Sequence, residues 1–246
     1  MNRRRITIAS IVLALIVGAV CILPIGRTLL WRTYVKIRGR YTVQDRVEQF
    51  GRDARDRLRP HFASAGVNYP PSHVGLFAIK DRRVMQLYAG DTKDTLRFIV
   101  EYPVQGQSGQ SGPKLRQGDR QVPEGLYRIE SLNPNSMFHV SLRLNYPNDF
   151  DREKGRQDGR TDLGSHIMIH GKAASVGCLA MGDPVAEEIF TLAADVGVEN
   201  ISVVITPTDF RHAPDSPLPA SQPAWTAELY EAIKTAGQRF PSPTTP

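Results

Sequence analysis

Cysteine is scarce in this sequence, which has two cysteines among 246 residues. One of them, Cys21, lies in an apolar N-terminal run, so Cys178 is the single thiol in the rest of the chain. Histidines and cysteines at the spacing of a standard zinc signature are missing. Helix-turn-helix, zinc-finger and aromatic RNA-binding signatures are missing too, which argues against nucleic acid despite a net charge of +6. We therefore expect no metal, no cofactor and no nucleic-acid partner.

The longest apolar run lies at the N-terminus. Residues 2–5 are Asn-Arg-Arg-Arg, and residues 6–26 are almost uncharged, about the length that a helix needs to cross a bilayer. A basic start followed by an apolar body is typical of an export signal or signal anchor. We predict an uncleaved anchor at residues 1–26 that exports the remainder. Three alternatives remain. A signal peptidase could cut near residues 17–19, or the run could be a buried core helix. The basic residues after the run indicate the opposite orientation, with the remainder of the chain in the cytoplasm.

Three further segments follow the predicted anchor. Residues 27–70 comprise a basic juxtamembrane stretch and an amphipathic helix from about residue 42 to 65. Residues 71–210 are rich in strand patterns, and residues 211–246 hold a Pro-rich linker, a short helix and a tail. Sequential strands joined by turns predict an α+β fold that is mainly β. We expect a sandwich or mixed sheet with flanking helices.

Alternating apolar residues and turn signals predict the strands of residues 71–210. The expected strands are 74–80, 84–89, 97–104, 126–132, 137–145, 166–170 and 201–206. A glycine-rich loop is expected at residues 106–125 and a charged loop at 151–162. A helix is expected from Asp183, as N-cap, to Val196, with Gly197 ending it.

Residues 164–181 hold the candidate chemistry. A short apolar strand ends in His170-Gly171, and a Ser-x-Gly-Cys motif follows at residues 175–178. This layout is typical of a cysteine nucleophile with a local base, because a thiol attacks carbonyls as its thiolate and an imidazole can take the proton. The amides of Gly177 and Cys178 are candidate donors to an oxyanion.

These residues also have plainer interpretations. Cys178 can be a small buried hydrophobe, which is the most common fate of a cysteine, and His170 an interior histidine with its hydrogen bonds made. A third interpretation groups His166, His170, Cys178 and Asp183 as metal ligands, although their spacing matches no standard site. The residue pattern alone leaves these alternatives open.

The motif His-Gly-x-x-x-Ser-x-Gly-Cys at residues 170–178 resembles the active-site motif of the L,D-transpeptidase catalytic domain family (YkuD-type). The likeness is greatest to its YafK-like murein transpeptidase branch and covers about residues 72–208. Further segments that resemble this branch are Tyr102-Pro103-Val104, Gly112-Pro113-Lys114-Leu115, residues 118–127 and Leu144-Asn145-Tyr146-Pro147-Asn148.

This resemblance implies a β-rich fold and a cysteine enzyme that acts on peptidoglycan stem peptides. Cys178 would attack the carbonyl at the L-centre of a diamino acid residue, release a D-amino acid and retain the acyl group as a thioester. His170 would be the base, and the Gly171 carbonyl would orient it. The amides of Gly177 and Cys178 would bind the oxyanion, with Ser175 positioning the loop.

The sequence departs from the family motif at two positions. Val176 stands where many members have His or Arg, and Ala180 where many have Arg. The final acceptor therefore stays open between an amine acceptor peptide or lipoprotein and water, as in an L,D-carboxypeptidase or an enzyme that cleaves protein–peptidoglycan links. Basic side chains elsewhere are candidates to bind substrate carboxylates: Lys114, Arg120, Arg143 and His166.

A non-catalytic wall-binding module that kept the fold is the alternative from a different functional class. The preferred hypothesis is an enzyme anchored in the inner membrane by its N-terminal helix. Its catalytic domain would then lie on the periplasmic or cell-wall side, where peptidoglycan is.

Overall fold

The computed structural model describes residues 40–217 and 222–243. The predicted membrane anchor at residues 1–26 lies outside these residues. Within the described ranges, no helix combines the length and the apolar character that crossing a membrane requires.

Eight strands, four α-helices and a short 3-10 helix make up the described residues. The strands are β1 (His73–Ile79), β2 (Val84–Gly90), β3 (Arg97–Pro103), β4 (Gly125–Ser136), β5 (His139–Leu144), β6 (Met168–His170), β7 (Leu179–Ala180) and β8 (Ile201–Thr206). The helices are α1 (Val43–Ser64), α2 (Asp149–Gln157), α3 (Asp183–Val196) and α4 (Thr226–Gly237), with the 3-10 helix at Val198–Asn200.

All eight strands join one mixed sheet in the order β3-β2-β1-β8-β4-β5-β6-β7. The pairs β1–β8 and β6–β7 are parallel, and the other neighbours are antiparallel. The expected α+β fold with a mainly β mixed sheet and flanking helices is confirmed for the described residues. Strand β8 pairs with β1 after a long excursion through the intervening strands and helices, whereas β7 pairs with β6 after the short loop of residues 171–178.

Strand β4 bends the sheet. Its first residues, Gly125–Arg128, pair with β8, whereas the part from Ile129 onwards pairs with β5. The β4–β5 register is irregular between Ile129 and Ser131, and a bulge of this kind increases local twist and redirects a strand. The sheet therefore curls, and its β5-β6-β7 end is set apart from the β1-β2-β3 end.

Apolar side chains cover both faces of the β1 end of the sheet. Leu76 and Ala78 belong to the larger core cluster, which also contains residues of α1 and α3. Phe77 and Ile79 point the other way into a second cluster, which contains residues of α4. Because side chains alternate along a strand, a strand with helices on both faces is apolar throughout.

Charged groups tie α1 to α3 at the edge of the larger core. Glu188 accepts from Arg57 Nε at 2.5 Å and from the Tyr102 hydroxyl at 2.6 Å. Arg55 and Asp195 form a second pair at 2.6 Å. These contacts fix α3, whose N-terminal end lies next to the segment that contains Cys178.

The predicted charged loop at residues 151–162 is wrong in its first half. Residues Asp149–Gln157 form helix α2, which begins with a capping box. The Asn148 side chain accepts from the Asp151 amide, and the Asp151 side chain accepts from the Asn148 amide, both at 2.9 Å. This reciprocal pair satisfies amides that would otherwise lack partners and so stabilises a short, highly charged helix.

Two expectations near the candidate site are also wrong. The strand predicted at residues 166–170 begins only at Met168, because His166 has a left-handed backbone with φ of 60°. His166 therefore does not share a strand face with His170. The N-cap of α3 is Gly182, and Asp183 is its first helical residue, with no side-chain cap bond. Its carboxylate accepts hydrogen bonds from Lys172 instead.

The segment after β8 packs on the sheet. Leu229, Tyr230 and Ile233 of α4 are buried in the second core cluster, together with Phe240 beyond the helix. Tyr230 also donates a hydrogen bond from its hydroxyl to Glu124 at 2.8 Å. Helix α4 thus contacts the residue that directly precedes β4.

Candidate active site

Cys178 lies directly before the strand that pairs with the end of β6. Strands β6 and β7 are parallel, with His170 opposite Ala180. The Met168 amide donates a hydrogen bond to Cys178 Sγ at 3.4 Å, and Sγ donates to the His166 carbonyl at 3.7 Å. The fold therefore places the candidate nucleophile directly before β7, and the candidate base at the end of the neighbouring strand β6.

The His170 imidazole is almost completely buried, with 2% of the residue exposed. Its Nδ1 lies 2.6 Å from the carbonyl oxygen of Gly171. Because a carbonyl only accepts hydrogen bonds, Nδ1 carries the proton and Nε2 is left as the acceptor. No hydrogen bond between His170 and Cys178 is present among the described residues. Burial lowers the pKa of His170, and the Gly171 carbonyl opposes that shift only in part.

Burial favours the neutral form of the Cys178 thiol. Burial raises its pKa, while the Met168 amide and the charge of Lys114 partly offset this effect. Since the pKa of His170 is lowered at the same time, the uncharged thiol and imidazole are favoured over a thiolate–imidazolium pair near neutral pH. A nucleophilic role for Cys178 would then require proton transfer during the attack.

The neutral resting thiol predicts how alkylation will depend on pH. We expect the midpoint for reaction of Cys178 with iodoacetamide to lie above about 8.5, the ordinary pKa of a cysteine. Unfolding in urea should return it to that value, because the burial that raises the pKa is removed. Peptide mapping separates Cys178 from Cys21. A midpoint below pH 7 in the folded protein would instead indicate an ion pair at rest.

Hydroxyl groups occupy the two candidate oxyanion donors. The Gly177 amide donates to Ser108 Oγ at 2.7 Å, and the Cys178 amide donates to Ser175 Oγ at 3.1 Å. Ser108 Oγ donates in turn to the Arg120 carbonyl at 2.7 Å, and Ser175 Oγ to the Cys178 carbonyl at 2.6 Å. An oxyanion bound by these amides has to replace both hydroxyl oxygens.

The loop from β6 to β7 is held by the start of α3. Asp183 accepts from the Lys172 amide at 2.8 Å and from Lys172 Nζ at 2.5 Å. A Cβ at Gly171 would come within 2.6 Å of Asp183 Oδ1 and 2.7 Å of the Phe138 carbonyl oxygen. Only glycine fits this close approach, so the carbonyl that binds His170 depends on it.

Of the basic substrate-binding candidates, Lys114 is engaged within the fold. It is 7% exposed and binds Asp119 at 2.5 Å and the Arg116 carbonyl at 2.9 Å. It still lowers the pKa of Cys178 in part, against the larger effect of burial. Lys114 therefore contributes positive charge near the thiol while its ammonium group is bound to Asp119.

The other three basic candidates differ in their settings. Arg143 pairs with Glu130 at 2.8 Å and lies opposite Met168 in the β5–β6 register. Arg120 is exposed, and its backbone carbonyl binds Ser108. His166 is exposed, and its carbonyl accepts from Cys178. Arg120 and His166 thus reach the site through backbone atoms.

Sequence reasoning missed three contributors to the site. Ser108 comes from the glycine-rich loop, the Met168 amide faces the sulfur, and the Phe138 ring lies 4.6 Å from the His170 ring between centroids. None has a local sequence signal, because each contact depends on how distant segments are arranged in the sheet.

The structure bears on the interpretation of His166, His170, Cys178 and Asp183 as metal ligands. Within residues 40–217 and 222–243, no three or more His, Cys, Asp or Glu side chains converge to hold a metal ion. Asp183, one of the four candidate metal ligands, instead forms an ion pair with Lys172.

Comparison with known protein families shows to which family this chain belongs. The L,D-transpeptidase catalytic domain family (YkuD) matches residues 72–205, more than half of the 246 residues. The chain belongs to this family. The resemblance seen in the sequence is therefore confirmed, and the L,D-transpeptidase domain spans the sheet from the start of β1 to the end of β8.

Relatives of this chain include two proteins described as putative L,D-transpeptidase YafK, one from Escherichia coli (strain K12) and one from Escherichia coli O157:H7. Each is 33% identical over 142 residues, which is 56% of this chain and 54% of the relative. The chain thus spans about half the length of these relatives.

Two solved structures also align with this chain. Bd1075 of Bdellovibrio bacteriovorus has a TM-score of 0.41 at 18% identity, covering 70% of this chain and 55% of its own. Pgp2 of Campylobacter jejuni, described as a helical cell shape determining protein, has a TM-score of 0.43 at 18% identity. That alignment covers 69% of this chain and 55% of Pgp2.

Proposed function

We propose that this protein is a cysteine L,D-transpeptidase that acts on peptidoglycan stem peptides, with Cys178 as nucleophile and His170 as base. The observation that supports the proposal most is the pairing of β6 with β7. The Cys178 thiol, which accepts a hydrogen bond from a backbone amide, directly precedes β7. The strand paired with β7 ends at the buried His170 imidazole, whose Nδ1 faces the Gly171 carbonyl. Family membership supports the same chemistry.

The first step forms a bond from Cys178 Sγ to the carbonyl carbon at the L-centre of the stem peptide. Nε2 of His170 takes the thiol proton as the bond forms, since both groups start neutral. The Met168 amide stabilises charge that develops on the sulfur. The amides of Gly177 and Cys178 bind the oxyanion once its oxygen has replaced the two serine hydroxyls.

The second step breaks the carbon–nitrogen bond to the D-amino acid. The imidazolium of His170 returns its proton to the leaving amine, and the acyl group stays on Cys178 as a thioester. An amine acceptor then attacks the thioester carbonyl and gives its proton to His170. The sulfur leaves and is reprotonated, which restores the resting pair. Water in place of the amine gives hydrolysis.

The two departures from the family motif lie in different surroundings. Val176 is 70% exposed, so an apolar side chain faces solvent two residues before Cys178. Ala180 is fully buried, and its amide donates to the Gly106 carbonyl at 2.9 Å. A long basic side chain at position 180 would meet Gly106, so we propose that this chain binds substrate carboxylates elsewhere. The candidates are Arg120, Arg143, His166 and Lys114.

We also propose that residues 1–26 anchor the enzyme in the inner membrane, with the catalytic domain on the periplasmic side. The basic start, the length of the apolar run and the location of peptidoglycan support this. The amine acceptor is a peptide or a lipoprotein.

Incubation of the full chain with purified tetrapeptide muropeptides tests the function. We expect release of the terminal D-amino acid and formation of a cross-link or of an exchange product with an added amine. Tripeptide products alone would assign the enzyme to the hydrolases of the same class. Normal muropeptide binding without any product would identify a non-catalytic wall-binding module and overturn the proposal.

Gly177→Ala should reduce kcat by about 10² to 10³-fold with little change in KM, which is the typical effect of losing one oxyanion donor. Gly177 has a φ of 83°, where an alanine is strained, so the substitution turns its amide away. Gly118→Ala is the matched control, because Gly118 has a φ of 76° and open space around it.

We expect both alanine variants to lose similar stability, about 1 to 2 kcal/mol, and only Gly177→Ala to lose kcat. Steady-state kinetics and urea unfolding measure the two effects separately. A kcat within threefold of the wild type in Gly177→Ala would remove its amide from the mechanism.

A further inference from the structure

Two apolar side chains occupy the tip of the β4–β5 hairpin. Met137 is 54% exposed and Phe138 is 39% exposed, and they separate Ser136 from His139, which pair across the turn. Turn tips normally carry small or polar residues. An exposed aromatic ring at this place therefore calls for a specific contact.

The Phe138 ring lies over the imidazole of His170. The ring centroids are 4.6 Å apart and the planes are inclined by 34°, so the two rings contact each other in a tilted arrangement. The backbone of the tip approaches as well, since the Phe138 carbonyl oxygen lies within 2.7 Å of where a Cβ on Gly171 would stand. Phe138 thus contacts both the imidazole and the residue whose carbonyl binds Nδ1.

The tip is held in place by its neighbours. His139 Nε2 lies 2.9 Å from Glu187 of α3, and the His139 ring packs on Phe50 of α1 at 5.6 Å. The Phe138 amide donates to Ser136 Oγ at 3.1 Å. Contacts on both sides of Phe138 therefore fix the ring, although part of it faces solvent.

We propose that Phe138 is a positioning residue for the cysteine chemistry: its ring covers one face of the His170 imidazole, excludes water from it and keeps Nδ1 on the Gly171 carbonyl. The inference rests on the proposed function, in which His170 is the base. A base whose orientation is fixed in this way presents Nε2 in one direction, toward the proton that it takes.

Charged groups around His170 do not account for its low basicity. Those on the neighbouring elements are mostly paired with one another: His139 with Glu187, Lys172 with Asp183, Arg143 with Glu130 and Lys114 with Asp119. The pKa of His170 is lowered by burial, with the Gly171 carbonyl opposing. Removal of a ring that contributes to this burial should therefore raise the pKa.

The test compares Phe138→Ala with Met137→Ala, which removes a more exposed side chain from the same tip. In Phe138→Ala we expect the acid limb of kcat/KM to move to higher pH, because the free-enzyme base protonates more readily. At a pH well below both pKa values the loss should approach tenfold for each unit by which the pKa rises. At pH 8 it should be less than twofold. Met137→Ala should keep the wild-type profile, and Phe138→Tyr should restore it.

An NMR titration of the imidazole gives a second readout that needs no turnover. The His170 resonances, assigned with His170→Gln, should titrate at higher pH in Phe138→Ala than in the wild type. Phe138→Leu, which keeps most of the apolar volume, should give an intermediate shift and serves if the alanine variant does not fold. An unchanged titration in folded Phe138→Ala or Phe138→Leu would overturn the inference. A shifted titration in a chain without stem-peptide turnover would sink the proposed function and leave the positioning role intact.

Discussion

Replacing Cys178 by Ala should abolish turnover of stem peptides, with a fall in kcat on the order of 10⁴ to 10⁶-fold, the range found when a covalent nucleophile is removed. No other cysteine lies among the described residues, so nothing in that region can replace the thiol. Release of the terminal D-amino acid from tetrapeptide muropeptides measures the loss.

The fold should survive this substitution, since a small side chain leaves a partly exposed position. Cys178→Ser preserves the volume and should be inactive as well, because Nε2 of a neutral imidazole without an aligned acid partner activates a hydroxyl poorly. Val176→Ala, two residues away and 70% exposed in the wild type, is the matched control and should retain full turnover. Turnover by Cys178→Ala above one per cent of wild type would contradict a covalent mechanism.

The second large effect concerns stability. Glu124→Ala should destabilise the fold by about 3 to 5 kcal/mol, the usual cost of leaving one partner of a buried ion pair alone. The side chains of Lys80 and Glu124 are 4% and 0% exposed, with Nζ and Oε1 at 2.7 Å. Glu124 also accepts from the Gly112 amide at 2.7 Å and from the Tyr230 hydroxyl at 2.8 Å.

The pair joins three segments, because Lys80 follows β1, Glu124 precedes β4 and Gly112 lies in the loop that also carries Ser108. Urea unfolding of the variants measures the effect. Replacing both charges, as in Lys80→Met with Glu124→Leu, should recover much of the loss, since no unpaired charge remains.

Asp56→Ala is the surface control for this prediction. It breaks a pair with Arg59 whose side chains are 56% and 61% exposed, and it should change the unfolding free energy by less than about 1 kcal/mol. If Glu124→Ala and Asp56→Ala lowered the unfolding free energy by equal amounts, the buried pair would not stabilise the fold more than a surface pair does.

Much of the fold follows from local pattern. The strand predicted at residues 201–206 corresponds to β8, Ile201–Thr206. The prediction succeeded because the apolar residues that mark this strand are buried in the structure. Helix α3 ends at Val196 as Gly197 indicates. Helix α2 was not predicted, because most of its residues are charged or polar. It depends on the Asn148–Asp151 capping box and on close packing of Gly155 against Leu163, where a Cβ would come within 2.8 Å.

The candidate site likewise contains some residues that local sequence predicts and others that it does not. Cys178 and His170 lie close together in sequence, so one short loop brings Cys178 to the start of the strand that pairs with the end of β6. Their spacing was therefore enough to name them as candidates, although plainer interpretations stayed open. Ser108 reaches Gly177 across 69 residues, and Phe138 reaches His170 from a different hairpin. Such contacts depend on the order of the strands in the sheet and on the curl at β4, and local sequence patterns do not specify either of them.

The acyl-enzyme itself is the most direct test of the account. Wild-type protein is mixed with tetrapeptide muropeptide, quenched in acid within the first turnover and examined by intact-protein mass spectrometry, followed by peptide mapping. We expect a mass increase equal to the mass of the muropeptide minus that of the released D-amino acid, held on Cys178 and cleaved by hydroxylamine. Product formation without any adduct on Cys178, under conditions that trap a thioester, would contradict it.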